Sequence, residues 1–231
     1  MKYLKNKTNI SVLIISLGLM FSSMTLLKPK KVIFFGDSIT WHGPDEDGFI
    51  TLMKNRLKTE GKIDQFELIG AGVSGNKIYD LFFRFQKDIL DKQPDVVVIY
   101  IGINDVWHKS QSGTGTDANR YLNFYSAMVK ILKDRGIEVV LCTPSVIGEK
   151  KDFTNPQDGD LNAYGQIVRE IALKYNCNLV DLRKEMIKYL QVNNPDNAEK
   201  GILTRDRVHM NATGNKFIAD QMYPVLFAKQ R

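Results

Sequence analysis

Three side chains of this sequence have the types and the spacing that acyl transfer through a serine requires. Ser38 lies in residues 36–40 (GDSIT), directly after an apolar run, where a sharp turn would expose its hydroxyl. Asp206 and His209 lie three positions apart near the C-terminus. A serine nucleophile needs an imidazole that accepts its proton and an acid that orients the imidazole. We therefore predict a catalytic triad in which Ser38 is the nucleophile, His209 the general base and Asp206 the residue that orients His209.

Two further segments offer hydrogen-bond donors for the negative charge that develops on the carbonyl oxygen during acyl transfer. Residues 70–76 are rich in glycine, and residues 102–105 contain Asn104. We expect an oxyanion hole formed by the N–H of Ser38, the N–H of Gly75 and the side-chain amide of Asn104. The loss of one such donor typically costs about 3 to 4 kcal/mol of transition-state stabilisation.

The spacing of apolar residues predicts strands that alternate with helices. Residues 96–101 (VVVIYI) form a continuous apolar run, which is typical of a strand buried on both faces of a parallel sheet. Strands are predicted for residues 31–35, 66–69, 95–101, 138–143 and 178–182, and helices for residues 49–60, 78–90, 118–135, 161–175 and 211–228. This alternation indicates an α/β protein, a three-layer αβα sandwich with right-handed crossovers.

Three segments have the composition of loops: residues 108–117, 148–160 and 193–207. They would leave the carboxyl ends of strands three, four and five. Ligands bind at that edge of an open α/β sheet, and the four segments that carry polar groups converge there as well. We expect the pocket at this edge.

Together these segments resemble the four sequence blocks of the SGNH (GDSL) hydrolase family. The blocks are residues 36–40, Gly75, residues 102–105 and residues 206–209, and they span nearly the whole predicted domain. The resemblance implies a flavodoxin-like five-stranded parallel sheet, a Ser-Asp-His triad with acid and base on one loop, and an oxyanion hole from Ser, Gly and Asn. One position departs from the family, because Gly70 stands where many members carry an Asn that makes a supporting hydrogen bond.

Aromatic side chains near these blocks are candidates for contact with the substrate. Trp41 and Trp107 would either stack against a sugar ring or pack in the core or a lid, and His108 would line the pocket or lie on a surface loop. The Thr40-Trp41 end of the first block resembles bacterial carbohydrate acetylesterases more than long-chain lipases. In the same blocks, Asp37 and Asp105 resemble residues that brace loops through backbone hydrogen bonds.

The composition limits the classes of partner. With 231 residues, of which 43% are hydrophobic and 25% charged, the chain suits one globular domain, which we place at residues 31–231. The net charge is +6, but five lysines in residues 1–30 supply five of these charges, so residues 31–231 carry only +1. A nucleic-acid partner is therefore not expected.

Residues 1–30 have the pattern of a targeting segment. A basic start precedes residues 10–27, eighteen positions without a charge, and three lysines follow among residues 28–31. This pattern predicts an exported protein, and the segment is either a cleaved signal peptide, which we favour, or an uncleaved membrane anchor. In an exported protein Cys142 and Cys177 could pair or remain free. The cysteines and the three histidines form no zinc-binding pattern, and no metal or other cofactor is expected.

These features predict an exported serine esterase that removes a short acyl group, acetyl above all, from a carbohydrate or another small alcohol. Two alternatives remain open at this point. A lysophospholipase or thioesterase would need an apolar channel for a long chain. A catalytically silent glycan-binding module on the same fold would have no reason to keep Ser38, Asn104 and His209 together.

Overall fold

A computed structural model describes residues 28–228, and residues 1–27 and 229–231 lie outside the described part. The signal peptide or membrane anchor predicted for residues 1–30 therefore falls almost entirely outside it. Between residues 28 and 228, no helix is both long and apolar enough to cross a membrane.

Five parallel strands form one sheet in the order β2-β1-β3-β4-β5. All five residues of the third strand are buried, as its continuous apolar run predicts. The strands are β1 (Lys30–Gly36), β2 (Phe66–Gly72), β3 (Val96–Tyr100), β4 (Glu138–Cys142) and β5 (Asn178–Val180). The predicted α/β class, three-layer sandwich and flavodoxin-like five-stranded parallel sheet are confirmed.

Within residues 28–228, eight α-helices accompany the sheet. They are α1 (Ser38–Trp41), α2 (Phe49–Thr59), α3 (Ile78–Asp88), α4 (Ile103–Gln111), α5 (Ala118–Asp134), α6 (Asp158–Lys174), α7 (Leu182–Asn193) and α8 (Ala212–Phe227). Of these, α2 packs against α8, and α3, α5 and α6 pack side by side. The chain crosses the sheet in one direction from β1 to β2 and in the other from β2 to β5. Right-handed crossovers therefore place the two groups of helices on opposite faces.

Helices α1, α4 and α7 lie where the sequence patterns predicted none, and the helix predicted for residues 161–175 begins three residues earlier than expected. The helix α4 occupies residues 108–111 of the predicted loop 108–117, because Ile103 and Val106 are buried and hold its first turns on the core. Likewise α6 begins at Asp158, inside the predicted loop 148–160. The helix α7 buries Leu182, Met186 and Leu190 at a spacing of four, which is a helical pattern.

The two cysteines do not form a disulfide. Cys142 is buried at the end of β4, where it lies beside Tyr100 of β3, and Cys177 is half-buried just before β5. Both thiols are free. Burial raises the pKa of each thiol above its ordinary value, which keeps both protonated near neutral pH.

The direction in which the chain crosses the sheet reverses at the neighbouring strands β1 and β3. In open α/β sheets the crevice outside the carboxyl ends of two such strands is the usual place for a ligand. Ser38 is the first residue of α1, which follows β1, and Asn104 lies in the first turn of α4, which follows β3. The topology thus brings these two predicted site residues to one crevice.

The short helix α1 lies against the end of β2, and a glycine makes this possible. A Cβ atom at Gly72 would lie 2.1 Å from the backbone N of Trp41 and 2.5 Å from the carbonyl carbon of Thr40. Both neighbours are backbone atoms, so they can move away only if the turn that carries Ser38 moves with them.

We predict that Gly72→Ala lowers the free energy of unfolding by about 2 kcal/mol or more, because the added methyl group overpacks this contact. Esterase activity should fall as well, since α1 carries Ser38. The matched control is Gly159→Ala in α6, where an added Cβ would meet no atom within 4 Å. It should leave stability unchanged or raise it by up to about 1 kcal/mol. Chemical denaturation of the three proteins would contradict the account if both variants behaved alike.

Candidate active site

Ser38 is presented at the start of α1 by a capping interaction. The Asp37 carboxylate accepts a hydrogen bond from the N–H of Ile39 at 3.0 Å, which fixes the first turn after β1. In an α-helix the first N–H groups have no partner within the helix. The N–H of Ser38 is therefore available to a ligand at the same point as its hydroxyl.

The three predicted triad residues lie in hydrogen-bonding order. The Nδ1–H of His209 donates to Oδ2 of Asp206 at 2.7 Å, and the His209 Nε2 lies 3.0 Å from Ser38 Oγ. When Nδ1 carries the proton, Nε2 of a neutral imidazole has a free lone pair and can accept the serine proton. This is the arrangement that nucleophilic catalysis by Ser38 requires.

Asp206 is stabilised in its charged form by the loop that carries it. Its Oδ1 accepts hydrogen bonds from the backbone N–H groups of His209, at 2.8 Å, and Val208, at 3.1 Å. Partial burial opposes ionisation, but these N–H groups and the His209 side chain outweigh it and hold the pKa of Asp206 below its ordinary value. Asp206 thus remains an anion that can orient the imidazole.

Glu149 anchors the segment that leads to this loop, and the sequence analysis did not single it out. Its side chain is fully buried and accepts hydrogen bonds from three successive backbone N–H groups, those of Ile202 and Leu203 at 2.7 Å and Thr204 at 2.5 Å. The neighbouring N–H of Gly148 donates to the carbonyl of Arg207 at 2.8 Å. The only sequence signal was an acidic residue soon after β4, which resembles any charged loop residue.

The predicted oxyanion donors Gly75 and Asn104 are linked to each other by the backbone of Asn76. The Asn104 amide donates one N–H to the Asn76 carbonyl at 3.0 Å, and an amide nitrogen carries a second hydrogen that remains for a ligand. Gly75 has a φ of +79°, a left-handed conformation that glycine adopts without strain.

Arg84 holds this segment against the strand ends. Its guanidinium donates to the Asn76 side chain at 2.7 Å and to the carbonyls of Gly36 and Ala71 at 2.8 and 3.0 Å. One side chain therefore joins the ends of β1 and β2 to the segment that carries Gly75.

Gly70 itself lies under another loop. A Cβ at this position would come within 2.7 Å of Pro44 Cγ, so an asparagine here would collide with the segment that follows α1. The close packing of Pro44 on β2 therefore leaves no space for the Asn that many family members carry at this position.

Asp37 and Asp105 are buried and make the backbone contacts predicted for them. Asp105 accepts a hydrogen bond from the N–H of Ile78 at 3.1 Å, which ties α4 to the start of α3. Burial raises the pKa of Asp37 to about 7 and that of Asp105 to about 6, and their mutual repulsion adds to the rise at Asp37. Both carboxyl groups face the protein interior, whereas Asp206 faces His209.

An open cleft of about 360 Å³ lies beside His209. Most of its lining residues are polar or charged, among them His42, Asp45, Arg205 and Asn211, and Ile39, Met210 and Ala212 add apolar surface. Trp41, Trp107 and His108 do not line this cleft. Trp41 is 58% exposed and faces a separate groove beside Pro44, and Trp107 packs partly against the core. Contact of these three side chains with a substrate stays a prediction.

The chain is similar to known proteins in both sequence and structure. The sequence profile of the GDSL-like lipase/acylhydrolase family matches residues 34–217. The solved structure of an acetyl xylan esterase, AlAXEase, is 56% identical and has a TM-score of 0.84, with 85% of this chain and 100% of that chain covered.

Two curated relatives are more distant. An acetylxylan esterase of Geobacillus stearothermophilus is 29% identical over 82% of this chain and 90% of the relative. The solved structures of Axe2, an acetylxylan esterase from the same species, include three described as catalytic mutants, in which a serine, an aspartate or a histidine is replaced by alanine. An uncharacterized lipoprotein of Bacillus subtilis is 24% identical, with 82% of this chain and 86% of the relative covered.

We predict that Glu149→Gln lowers both stability and kcat. Glutamine keeps one acceptor oxygen but places an NH₂ group where the second oxygen was, so one buried N–H loses its partner. The expected loss is about 2 to 4 kcal/mol of unfolding free energy and roughly 10-fold in kcat, because His209 is displaced from Ser38.

Glu138→Gln is the matched control at the other end of β4. Glu138 forms a partly exposed ion pair with Lys30 at 2.7 Å, and its loss should cost less than about 1 kcal/mol and leave kcat unchanged. Denaturant titrations and initial rates measure both effects. An unaltered kcat in folded Glu149→Gln would show that the anchor does not position His209.

Proposed function

This chain belongs to the GDSL-like lipase/acylhydrolase family and is a carboxylic ester hydrolase, and we propose that it removes acetyl groups from carbohydrate esters with Ser38, His209 and Asp206 as its catalytic triad. The observation that carries this assignment is the continuous chain of contacts, 3.0 Å from Ser38 Oγ to His209 Nε2 and 2.7 Å from His209 Nδ1 to Asp206. The same three residue types are replaced in the catalytic mutants of Axe2.

The proposed reaction has two halves. In the first, Ser38 Oγ attacks the ester carbonyl carbon while His209 Nε2 takes the hydroxyl proton. His209 then gives that proton to the alcohol oxygen as the bond between this oxygen and the carbonyl carbon breaks, which leaves an acyl group on Ser38. In the second half, water attacks the acyl carbonyl carbon while His209 takes a proton from the water. The bond between this carbon and Ser38 Oγ then breaks, His209 returns the proton to Oγ, and the carboxylic acid leaves.

The oxyanion that forms in each half would accept hydrogen bonds from the N–H of Ser38, the N–H of Gly75 and the second amide hydrogen of Asn104. Because these donors are held by α1, by Arg84 and by the Asn76 carbonyl, they need little rearrangement when the negative charge appears. Preorganised donors of this kind usually make the largest single contribution to catalysis of acyl transfer.

Two observations support a carbohydrate acetate as the substrate. Two relatives, one of them 56% identical, are described as acetyl xylan esterases. The cleft beside His209 is open and lined largely by polar and charged residues, which suits the hydroxyl groups of a sugar, whereas a long acyl chain would need an apolar channel.

We also propose that the protein is exported. The supporting features are the basic start and the uncharged residues 10–27, and a relative described as a lipoprotein. Export would bring the enzyme to acetylated polysaccharides outside the cell.

We predict that the enzyme releases acetate from acetylated xylo-oligosaccharides and hydrolyses p-nitrophenyl acetate faster than the butyrate, and the butyrate faster than the palmitate. The physical reason is the open cleft at His209, whose polar and charged lining residues do not form an apolar channel for a long acyl chain. Initial rates with the three p-nitrophenyl esters and acetate assays with the oligosaccharides measure the preference. A palmitate preference would instead favour a long-chain lipase or thioesterase.

A further inference from the structure

A second histidine and aspartate lie beside the proposed catalytic pair. The Nδ1–H of His42 donates to Oδ2 of Asp45 at 2.7 Å. The imidazole rings of His42 and His209 are 6.3 Å apart between centroids and nearly perpendicular, at 83°. The two rings are too far apart to bond to each other, and a ligand that reaches one of them also lies close to the other.

The cleft between these histidines lies on the side of the departing alcohol. In ester cleavage the proposed base, His209, must protonate the alcohol oxygen as it leaves, so the alcohol half is adjacent to the imidazole. The carbonyl oxygen points instead to Gly75 and Asn104. His42 and His209 both line the cleft, whereas Gly75 and Asn104 do not. The cleft is therefore placed to receive the alcohol half and not the acyl half.

The interaction between His42 and Asp45 is not needed to hold the loop. Backbone hydrogen bonds already close this turn, from the N–H of Asp45 to the carbonyl of His42 at 3.1 Å and from the N–H of Gly48 to the carbonyl of Asp45 at 2.9 Å. Their side chains are 38% and 63% exposed, and such exposed pairs contribute little to stability. The pair is thus accessible to a ligand.

We propose that the His42 imidazole, oriented by Asp45, binds a free hydroxyl of the alcohol half of the ester and so selects polyhydroxylated alcohols such as sugars. This inference rests on the proposed function, because it presumes that His209 protonates the leaving alcohol. It assigns His42 a role in specificity that is separate from bond cleavage.

The geometry gives His42 the required hydrogen-bonding capacity. With the proton on Nδ1 held by Asp45, Nε2 of the neutral ring is a hydrogen-bond acceptor that a sugar hydroxyl can use. Its present neighbour is the Arg205 guanidinium at 3.5 Å, a long contact that a hydroxyl can replace. Arg205 can then donate to a further oxygen of the same sugar.

The charge around the cleft narrows the class of alcohol. Asp45, Glu46 and Asp47 line it together with one guanidinium, that of Arg205. Carboxylates accept hydrogen bonds from neutral hydroxyls and repel anions. A neutral sugar therefore fits this subsite better than a uronic acid or a phosphorylated alcohol does.

The test compares three acetate esters. The first is a methyl xyloside monoacetate with a free hydroxyl next to the ester, the second is its deoxy analogue without that hydroxyl, and the third is p-nitrophenyl acetate. Wild-type enzyme should prefer the hydroxy compound over the deoxy compound by roughly 10-fold in kcat/KM, the value of one good hydrogen bond. His42→Ala should abolish this preference by slowing the hydroxy compound to the rate of the deoxy compound, with a smaller effect on p-nitrophenyl acetate, and Asp45→Asn should reduce the preference in part.

The control is Gln166→Ala, which removes an exposed side chain of α6 that does not line the cleft and should retain the preference. The assignment of His42 is overturned if His42→Ala keeps the preference, if wild type has none, or if all three esters lose rate equally. Failure of wild type to hydrolyse any of the esters would instead overturn the proposed function, so the two failures are distinguishable.

Discussion

The hydrogen bond between Ser38 Oγ and His209 Nε2, 3.0 Å long, joins residues that are 171 positions apart in the chain. Each partner is held by its own support. Ser38 begins a short helix that rests on Gly72, where no side chain could be accommodated. His209 lies on a loop whose preceding backbone is fixed by the buried carboxylate of Glu149. A misplacement of about 1 Å can cost roughly 100-fold in rate. Both supports must therefore hold Ser38 and His209 in the correct positions at the same time.

The carboxyl groups near the site differ in the direction in which the protein shifts their pKa. Asp37 and Asp105 are buried, and burial raises their pKa values to about 7 and about 6. They cap backbone N–H groups of α1 and α3. Asp206 is nearer to solvent, and although burial opposes its charge, hydrogen bonds from the His209 loop lower its pKa. The proposed mechanism needs this difference, because only a carboxylate that stays ionised can orient His209.

The fold, and the convergence of Ser38, Asp206 and His209 at one edge of the sheet, were accessible to sequence reasoning, since strands buried on both faces and short polar blocks leave local patterns. Helix α4 was missed in part because its first turn carries the Asn104 block, whose polar residues resemble a loop. Glu149 was missed for a different reason. Its partners are backbone N–H groups more than fifty positions away, and a contact with backbone leaves no trace in residue types. The cleft beside His42 likewise exists only once two distant loops meet.

The most direct test of the account is whether Ser38 is the nucleophile. Full-length enzyme would be treated with a fluorophosphonate probe, and the modified residue would be located by mass spectrometry of peptides. The account predicts one adduct, on Ser38, which is lost in Ser38→Ala and forms much more slowly in His209→Ala. The absence of an adduct on the wild type, or undiminished labelling of Ser38→Ala, would contradict it.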